Sequence, residues 1–298
     1  MNVLSIDIGG TSFRIGAVRA DGSLIKFDKV PTSSVFRTEN VLHDLVAYIQ
    51  MFSGNSPIDA LAIGFPATLN TDRSRIVQAP NIAFMENLPV CEVLRQALNI
   101  PVFAERDVTF ALCFDMEKYQ LSERGLTCGI YFGTGIGNAM LWNGKPVLGR
   151  HGAAGELGHI PVWGSTIPCG CGNVGCLEAV AGGKAIARLQ RDKYPETPIG
   201  EMFISHGNED DLLEIVNGMA MAVATEINML DPDQVLVGGG VLNMKGFPLK
   251  VLDQMIQAHT RKPLPCEDLH MIYTEVEPDK SVIGGAVYAR HALENMEG

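Results

Sequence analysis

Twenty residues near the middle of the chain, HIPVWGSTIPCGCGNVGCLE, set His159, Cys169, Cys171 and Cys176 in the spacing H-x9-C-x-C-x4-C. Three thiolates and one imidazole make a closed four-ligand set, the donor chemistry of structural zinc; a catalytic zinc keeps one position for water. A disulfide between Cys169 and Cys171 would be badly strained. The spacing therefore leaves two readings, a structural zinc site or unpaired thiols. Glycines between the cysteines would let the backbone fold tightly around an ion, pinning a loop that has no core of its own. Glu156 lies three residues before His159 and Glu178 two residues after Cys176. They read either as carboxylates held in fixed places by the clamped loop or as surface glutamates flanking it.

Three glycine-rich strand exits form a second group: Asp7-Ile8-Gly9-Gly10-Thr11, Gly133-Thr134-Gly135-Ile136-Gly137 and Gly238-Gly239-Gly240. Glycine lets phosphate oxygens approach backbone N–H groups closely. No Gly-Lys-Ser/Thr follows, so neither of the first two is a Walker loop. Neither is followed directly by a helix, as a dinucleotide fingerprint requires. Each alone reads as an ordinary turn; together they could converge on one nucleotide. Asp7, at a strand end, reads as a turn-capping residue or as a carboxylate holding a hydrated Mg²⁺. Asp107, before an apolar helical run, reads by itself as a helix N-cap.

The elements that must carry these residues follow from periodicity. Residues 3–8 read as a buried strand. Alternation around Asp21-Gly22 predicts a hairpin. Val41, Leu42, Leu45, Val46, Ile49 and Phe52 fall on one helical face. ALAIGFPA and PVFAERD read as strands, and VTFALCFDMEKY as a helix. The pattern then recurs: strand, glycine turn, strand and an Asn143-Gly144 hairpin, a long helix over DLLEIVNGMAMAVATEINML, the strand QVLVGGGV, a helix, the strand HMIYTEVE and a closing helix. Alternating strands and helices predict α/β architecture. A length of 298 residues predicts two domains, and two halves that open alike predict that they are similar.

Composition narrows the function. A net charge of −11 argues against nucleic-acid and anionic-membrane partners. It leaves room for a small phosphate ligand held by backbone amides and a metal ion. With 46% hydrophobic and 19% charged residues the chain reads as globular. No stretch approaches a membrane span, and MNVLSIDIGG reads as a strand and turn, so a cytoplasmic protein is expected. The odd count of seven cysteines fits a reducing compartment. Cys91, Cys113, Cys128 and Cys266 read as small core residues or bystanders.

The motifs IDIGGT, GTGIG, GAAGELGH and CGCGNVGCLE, in this order over essentially the whole chain, resemble the ROK sugar kinases. The runs around Asp107 and from Arg150 to Val162 look most like the D-allose-phosphorylating subgroup. The resemblance implies two ribonuclease-H-like α/β domains of the actin/hexokinase/Hsp70 superfamily with an interdomain cleft. It implies a small domain over residues 1–106 plus 282–298 and a large one over 107–281 carrying the zinc loop. Hexose and MgATP are the implied substrates, with structural Zn²⁺, and a homodimer or homotetramer is the implied assembly. Asp107 falls where the family has its catalytic base. Asn81, Arg106, Glu156, His159 and Glu178 fall at sugar contacts. Asp7, Gly9, Gly10, Thr11, Gly133, Thr134, Gly135, Gly239 and Gly240 fall around ATP. Zinc would orient His159 through one ring nitrogen while the other faces a sugar hydroxyl.

Two positions depart from the family pattern. Arg106-Asp107-Val108-Thr109 stands where the family has Asn-Asp-x-Asn, and Ala67 replaces a glycine in GFPAT. Arg106 is donor-only and longer than Asn. It would read a different hydroxyl pattern, or swing out to pair with an acid such as Glu105. Either weighs against glucose and is compatible with a C3 epimer such as allose. The resulting expectation is γ-phosphate transfer to the 6-hydroxyl of an aldohexose, D-allose foremost. Glucose, or another hexose such as fructose or mannose, or an N-acylhexosamine, is the alternative acceptor. A ROK regulator or a sugar-binding protein without turnover is the non-enzyme alternative.

Overall fold

A computed structural model describes residues 1–79 and 82–297. The chain divides into two units. The first comprises Met1–Ser122, Leu148–Ala154 and Glu277–Gly298; the second comprises Glu123–Val147 and Gly155–Val276.

The first unit contains β1 (Asn2–Ile8), β2 (Ser12–Arg19), β3 (Leu24–Pro31), α1 (Thr32–Val35), α2 (Val41–Ser53), β4 (Ala60–Phe65), β5 (Thr68–Leu69), β6 (Ile76–Gln78), α3 (Val90–Leu98), β7 (Val102–Arg106) and α4 (Asp107–Lys118). The second contains β8 (Leu126–Phe132), β9 (Ile136–Trp142), β10 (Lys145–Pro146), α5 (Leu177–Val180), α6 (Gly183–Lys193), α7 (Met202–His206), α8 (Asp210–Leu230), β11 (Gln234–Gly238), α9 (Leu249–His259) and β12 (Met271–Tyr273). The closing helix α10 (Lys280–Glu297) returns to the first unit.

The two main sheets share one plan. Their strand orders are β3-β2-β1-β4-β7 and β10-β9-β8-β11-β12. In each, an antiparallel meander is followed by two strands parallel to its first. The parallel strands end at one edge of their sheet, the edge where α/β proteins bind ligands.

Alternation along β1 sorts its side chains. Leu4, Ile6 and Ile8 are fully buried in a core shared with α2 and α3. Val3, Ser5 and Asp7 point to the other face, where Val3 packs with Phe110 of α4 and Val282, Ala286 and Ala289 of α10. Gly64 of β4 makes this layer close: a Cβ there would lie 2.9 Å from the Phe110 ring and 3.4 Å from the Asp107 Cα.

The division differs from the 106/107 boundary expected from sequence. Helix α4 belongs to the first unit because it packs along α10 and β4. The excursion Leu148–Ala154 also belongs to this unit. The last strand is shorter than predicted, covering Met271–Tyr273 only. In the second unit, β8, β11, α8 and α9 share one core that includes Phe132, Val237, Met219 and Leu252.

Candidate functional site

In the first unit, Asp7 is the last residue but one of the inner strand β1 and is 4% exposed. The tight turn after it pairs Asp7 with Arg14 across the antiparallel register, and Arg14 Nη1 donates to Asp7 Oδ2 at 2.8 Å. Ser281, in the first turn of α10, lies near enough to the Asp7 carboxylate to favour its charged form. Burial pushes the Asp7 pKa up, and Arg14 opposes that rise. Gly9 N–H donates to Ser12 O at 2.8 Å, and Thr32 ties the turn from outside by donating its hydroxyl to Gly9 O at 2.6 Å. Gly10 and Thr11 are exposed at the sheet edge.

The parallel register runs Asp7, Gly64, Glu105, and the chain leaves β7 through Arg106 into Asp107. Asp107 is the first residue of α4 rather than its N-cap, which is Arg106. Its Oδ1 accepts the Val108 N–H at 2.8 Å. Burial and the negative charge of Asp7 push the Asp107 carboxyl up to about 7, against the Val108 hydrogen bond and Arg106. A carboxyl near neutrality is poised for proton transfer, where a free Asp, with a pKa of about 3.9, is a weak base. The Arg106 side chain is 9% exposed, so it does not swing into solvent. Asn81 lies outside the described residues.

In the second unit, the loop after β8 closes on itself, Gly133 N–H donating to Gly135 O at 3.0 Å. Gly133 O and Thr134 O accept the N–H groups of Gly183 and Lys184 at 2.9 Å each, so the loop caps the start of α6. Tyr131 and Gly238 are register partners, and Val241 N–H donates to Phe132 O at 3.0 Å. The exits carrying Gly133–Gly135 and Gly239–Gly240 therefore lie side by side.

The cysteine loop gathers as its spacing predicts. The four donor atoms of His159, Cys169, Cys171 and Cys176 lie within 4.8 Å of one another. Cys169 Sγ is 3.6 Å from His159 Nδ1, and Cys171 Sγ is 3.7 Å from Cys176 Sγ. A tetrahedral zinc with bonds of about 2.3 Å to sulfur and 2.0 Å to nitrogen holds its ligand atoms about 3.5–3.8 Å apart. The donor set and these two separations fit that ion. No disulfide joins the cysteines.

The outer nitrogen of the same ring, Nε2, lies 3.6 Å from Glu156 Oε2. Glu178, at the start of α5, is 8% exposed. Its Oε1 accepts from Lys184 Nζ at 2.9 Å and from Cys169 Sγ at 3.3 Å, and its Oε2 sits over Gly135. Glu156 thus lies beside His159, and Glu178 links the cysteine cluster to the glycine loop.

Sequence reasoning missed Arg14, Ser281 and Lys184. The first had a signal: an arginine in an apolar strand, placed opposite Asp7 by a tight turn. Lys184 also had one, Gly-Gly-Lys opening a helix. Ser281 had none, because only the packing of α10 brings it to Asp7.

Residues 3–292 match the model of the ROK family. Two curated relatives are similar over most of their length. A glucokinase of Thermotoga maritima is 29% identical, with 81% of this chain and 82% of that protein covered. An N-acetyl-D-glucosamine kinase of Haemophilus influenzae is 30% identical, with 80% and 84% covered. In fold, the chain is similar to a ROK family glucokinase from Streptomyces griseus solved with glucose and AMPPNP. That likeness has a TM-score of 0.80 at 22% identity and covers 98% of this chain and all, 100%, of the other.

Proposed function

The chain belongs to the ROK family, and on that premise we propose that it is an ATP-dependent hexose kinase with D-allose as its preferred acceptor. The observation that carries the kinase reading is Asp107. It is a carboxylate of near-neutral pKa at a parallel sheet edge, beside Asp7 and the Gly9–Thr11 turn.

Phosphoryl transfer needs alignment and charge neutralisation more than covalent chemistry. Asp107 would accept the proton of the sugar 6-hydroxyl as that oxygen attacks the γ-phosphorus of ATP. The proton becomes acidic late in transfer, so the base must already be in place. Asp7 would hold the hydrated Mg²⁺ of the MgATP substrate, with Arg14 and Ser281 fixing its carboxylate. Gly10, Thr11, Thr134 and Gly135 would offer backbone N–H groups to the phosphates, Gly9 and Gly133 would shape the two loops by closing their turns, and Gly239 and Gly240 would lie near the adenosine. Sugar hydroxyls would be bound by Asn81, Arg106, Glu156, His159 and Glu178.

His159, Cys169, Cys171 and Cys176 would hold a structural zinc. When bound, that ion supplies rigidity rather than Lewis-acid chemistry, since four protein ligands leave no position for substrate. His159 would then present Nε2 outward, beside Glu156, as a second nitrogen that bonds a hydroxyl.

Allose rests on Arg106. A buried guanidinium at this position donates where the family Asn both donates and accepts. A second reading, glucose as preferred acceptor, is supported by the glucokinase among the relatives. The test is ADP release from MgATP across allose, glucose, mannose, fructose and N-acetylmannosamine, with Asp107→Asn as control. Allose turnover well above glucose turnover, lost in the variant, supports the proposal. Glucose as best substrate keeps the kinase and overturns the reading of Arg106. No turnover with any sugar, by folded zinc-bound protein, overturns the kinase.

A further inference from the structure

We propose that Arg73 and Glu105 form a positioning pair that sets the β7–α4 turn, and with it the carboxylate of Asp107. This rests on the kinase reading for its catalytic meaning, but its geometric content stands apart from it.

Arg73 lies in the short turn between β5 and β6, where a long cation is ordinarily solvated. Here its side chain is 10% exposed and points inward. Its backbone has φ +57°, a region that residues other than glycine adopt at a cost of about 1 kcal/mol or more. The Arg73 N–H closes the turn onto Asn70 O at 3.0 Å. A strained, buried arginine in a hairpin turn has to be held there by what its side chain does.

That side chain divides its donors. Nε donates to Glu105 Oε2 at 2.9 Å, and Nη1 donates to Gly152 O at 2.9 Å and to Leu69 O at 3.4 Å. Glu105 is fully buried and uses its two oxygens differently. Oε2 takes the guanidinium, and Oε1 accepts the backbone N–H of Arg106 at 2.8 Å. That N–H belongs to the N-cap of α4, one residue before Asp107. The chain of contacts runs from Arg73 through one carboxylate to the peptide that aims the base.

Removing one partner of a buried pair leaves an uncompensated charge, whereas the intact pair adds little net stability. A fixed geometry is therefore the better account of what the pair contributes. Its other end supports this. Gly152 has φ +74°, and a Cβ there would lie 2.6 Å from Leu69 O and 2.8 Å from Arg73 Nη1. Only glycine lets the carbonyl of the excursion Leu148–Ala154 reach the guanidinium. Thr71, in the same turn, donates its hydroxyl to Arg150 O at 3.0 Å. One cation thus fastens both the turn before Asp107 and the excursion to the first unit.

The test compares Arg73→Ala and Arg73→Lys with the unaltered full chain in two measurements. Amide hydrogen exchange is expected to quicken over residues 102–110 and 148–154 in Arg73→Ala while residues 3–18 keep their protection. With whichever hexose the unaltered protein phosphorylates, kcat is expected to fall about tenfold or more while KM for ATP stays within about twofold. Millimolar guanidinium chloride should restore part of the lost kcat in Arg73→Ala, and equal sodium chloride should not. Arg73→Lys, which keeps the charge without the fork, should fall between; it carries both measurements if the alanine variant does not fold. Unchanged exchange in both stretches, or kcat within about twofold in folded Arg73→Ala, overturns the proposal. If the unaltered protein phosphorylates no sugar, the kinase reading fails on that result, and the exchange data still decide whether the pair sets the turn.

Discussion

Asp107 combines two demands that pull against each other. As the proposed base it must be a carboxylate to accept a proton, yet burial and the neighbouring Asp7 favour its protonated form and place its pKa at about 7. The acid limb of kcat/KM should therefore have its midpoint near pH 7, with activity falling about tenfold per unit below it. Asp107→Asn should lower kcat by about 10²–10⁴-fold with KM for ATP little changed. Steady-state kinetics from pH 5.5 to 9 check both. The same group predicts a stability effect of defined sign. Between the unfolded pKa of about 3.9 and the folded value, the native state binds more protons than the unfolded state, so stability falls as pH rises through this window and levels off above it. Asp107→Asn should gain thermal stability over the unaltered protein at pH 8, and the difference should shrink as pH approaches 4. An equal gain at both pH values would contradict the raised pKa.

At the scale of elements, the cysteine loop and the α4 layer make opposite use of packing. The cysteine loop has little core beneath it: Trp163 is 101% exposed and Val174 60%. The proposed zinc would supply its order, and metal-binding free energy would then become folding free energy there. One zinc per chain is expected by elemental analysis, with Cys171→Ser lowering occupancy and thermal stability together, and a chelator reproducing the loss. Full occupancy and an unchanged melting temperature in the variant would remove the metal from the account. Helix α4 is held instead by contact. The Cβ of Gly64→Ala would press on the Phe110 ring at 2.9 Å. Overpacking of this kind costs about 1–3 kcal/mol, so a lowered melting temperature is expected. Because the same Cβ would lie 3.4 Å from Asp107 Cα, kcat should fall as well.

At the scale of the whole molecule, the first unit is assembled from segments far apart in sequence. Val282, Ala286 and Ala289 of α10 are 0% exposed and complete the core over Val3, Val18, Ala62 and Phe110. Burying such side chains contributes about 1.5–3 kcal/mol for each of the larger ones, against a total stability of about 5–15 kcal/mol. Ending the chain at residue 279 should therefore abolish cooperative unfolding of the first unit, seen as lost protection of residues 3–18 in hydrogen exchange. Cooperative unfolding in the truncated chain would mean that α10 is dispensable. Among the described residues no helix is long and apolar enough to cross a membrane.

What the sequence determined by itself was whatever depends on neighbours along the chain. Hydrophobic alternation marked the main strands, and glycine runs marked their exits. The H-x9-C-x-C-x4-C spacing marked donors that gather within 4.8 Å, since most of that loop's geometry is local. Tertiary structure decided whatever depends on meetings between distant segments. The pairing of Arg73 with Glu105 spans 32 positions and that of Lys280 with Asp115 spans 165. Ser281 reaches Asp7 only through the return of α10. The pKa of Asp107 belongs to the same class: burial and Asp7 set it, and Asp7 is brought near by parallel pairing through β4. Spacing along a chain encodes local geometry, whereas burial and long-range charge are properties of the packed interior and exist only once the sheet and its helices have closed on one another.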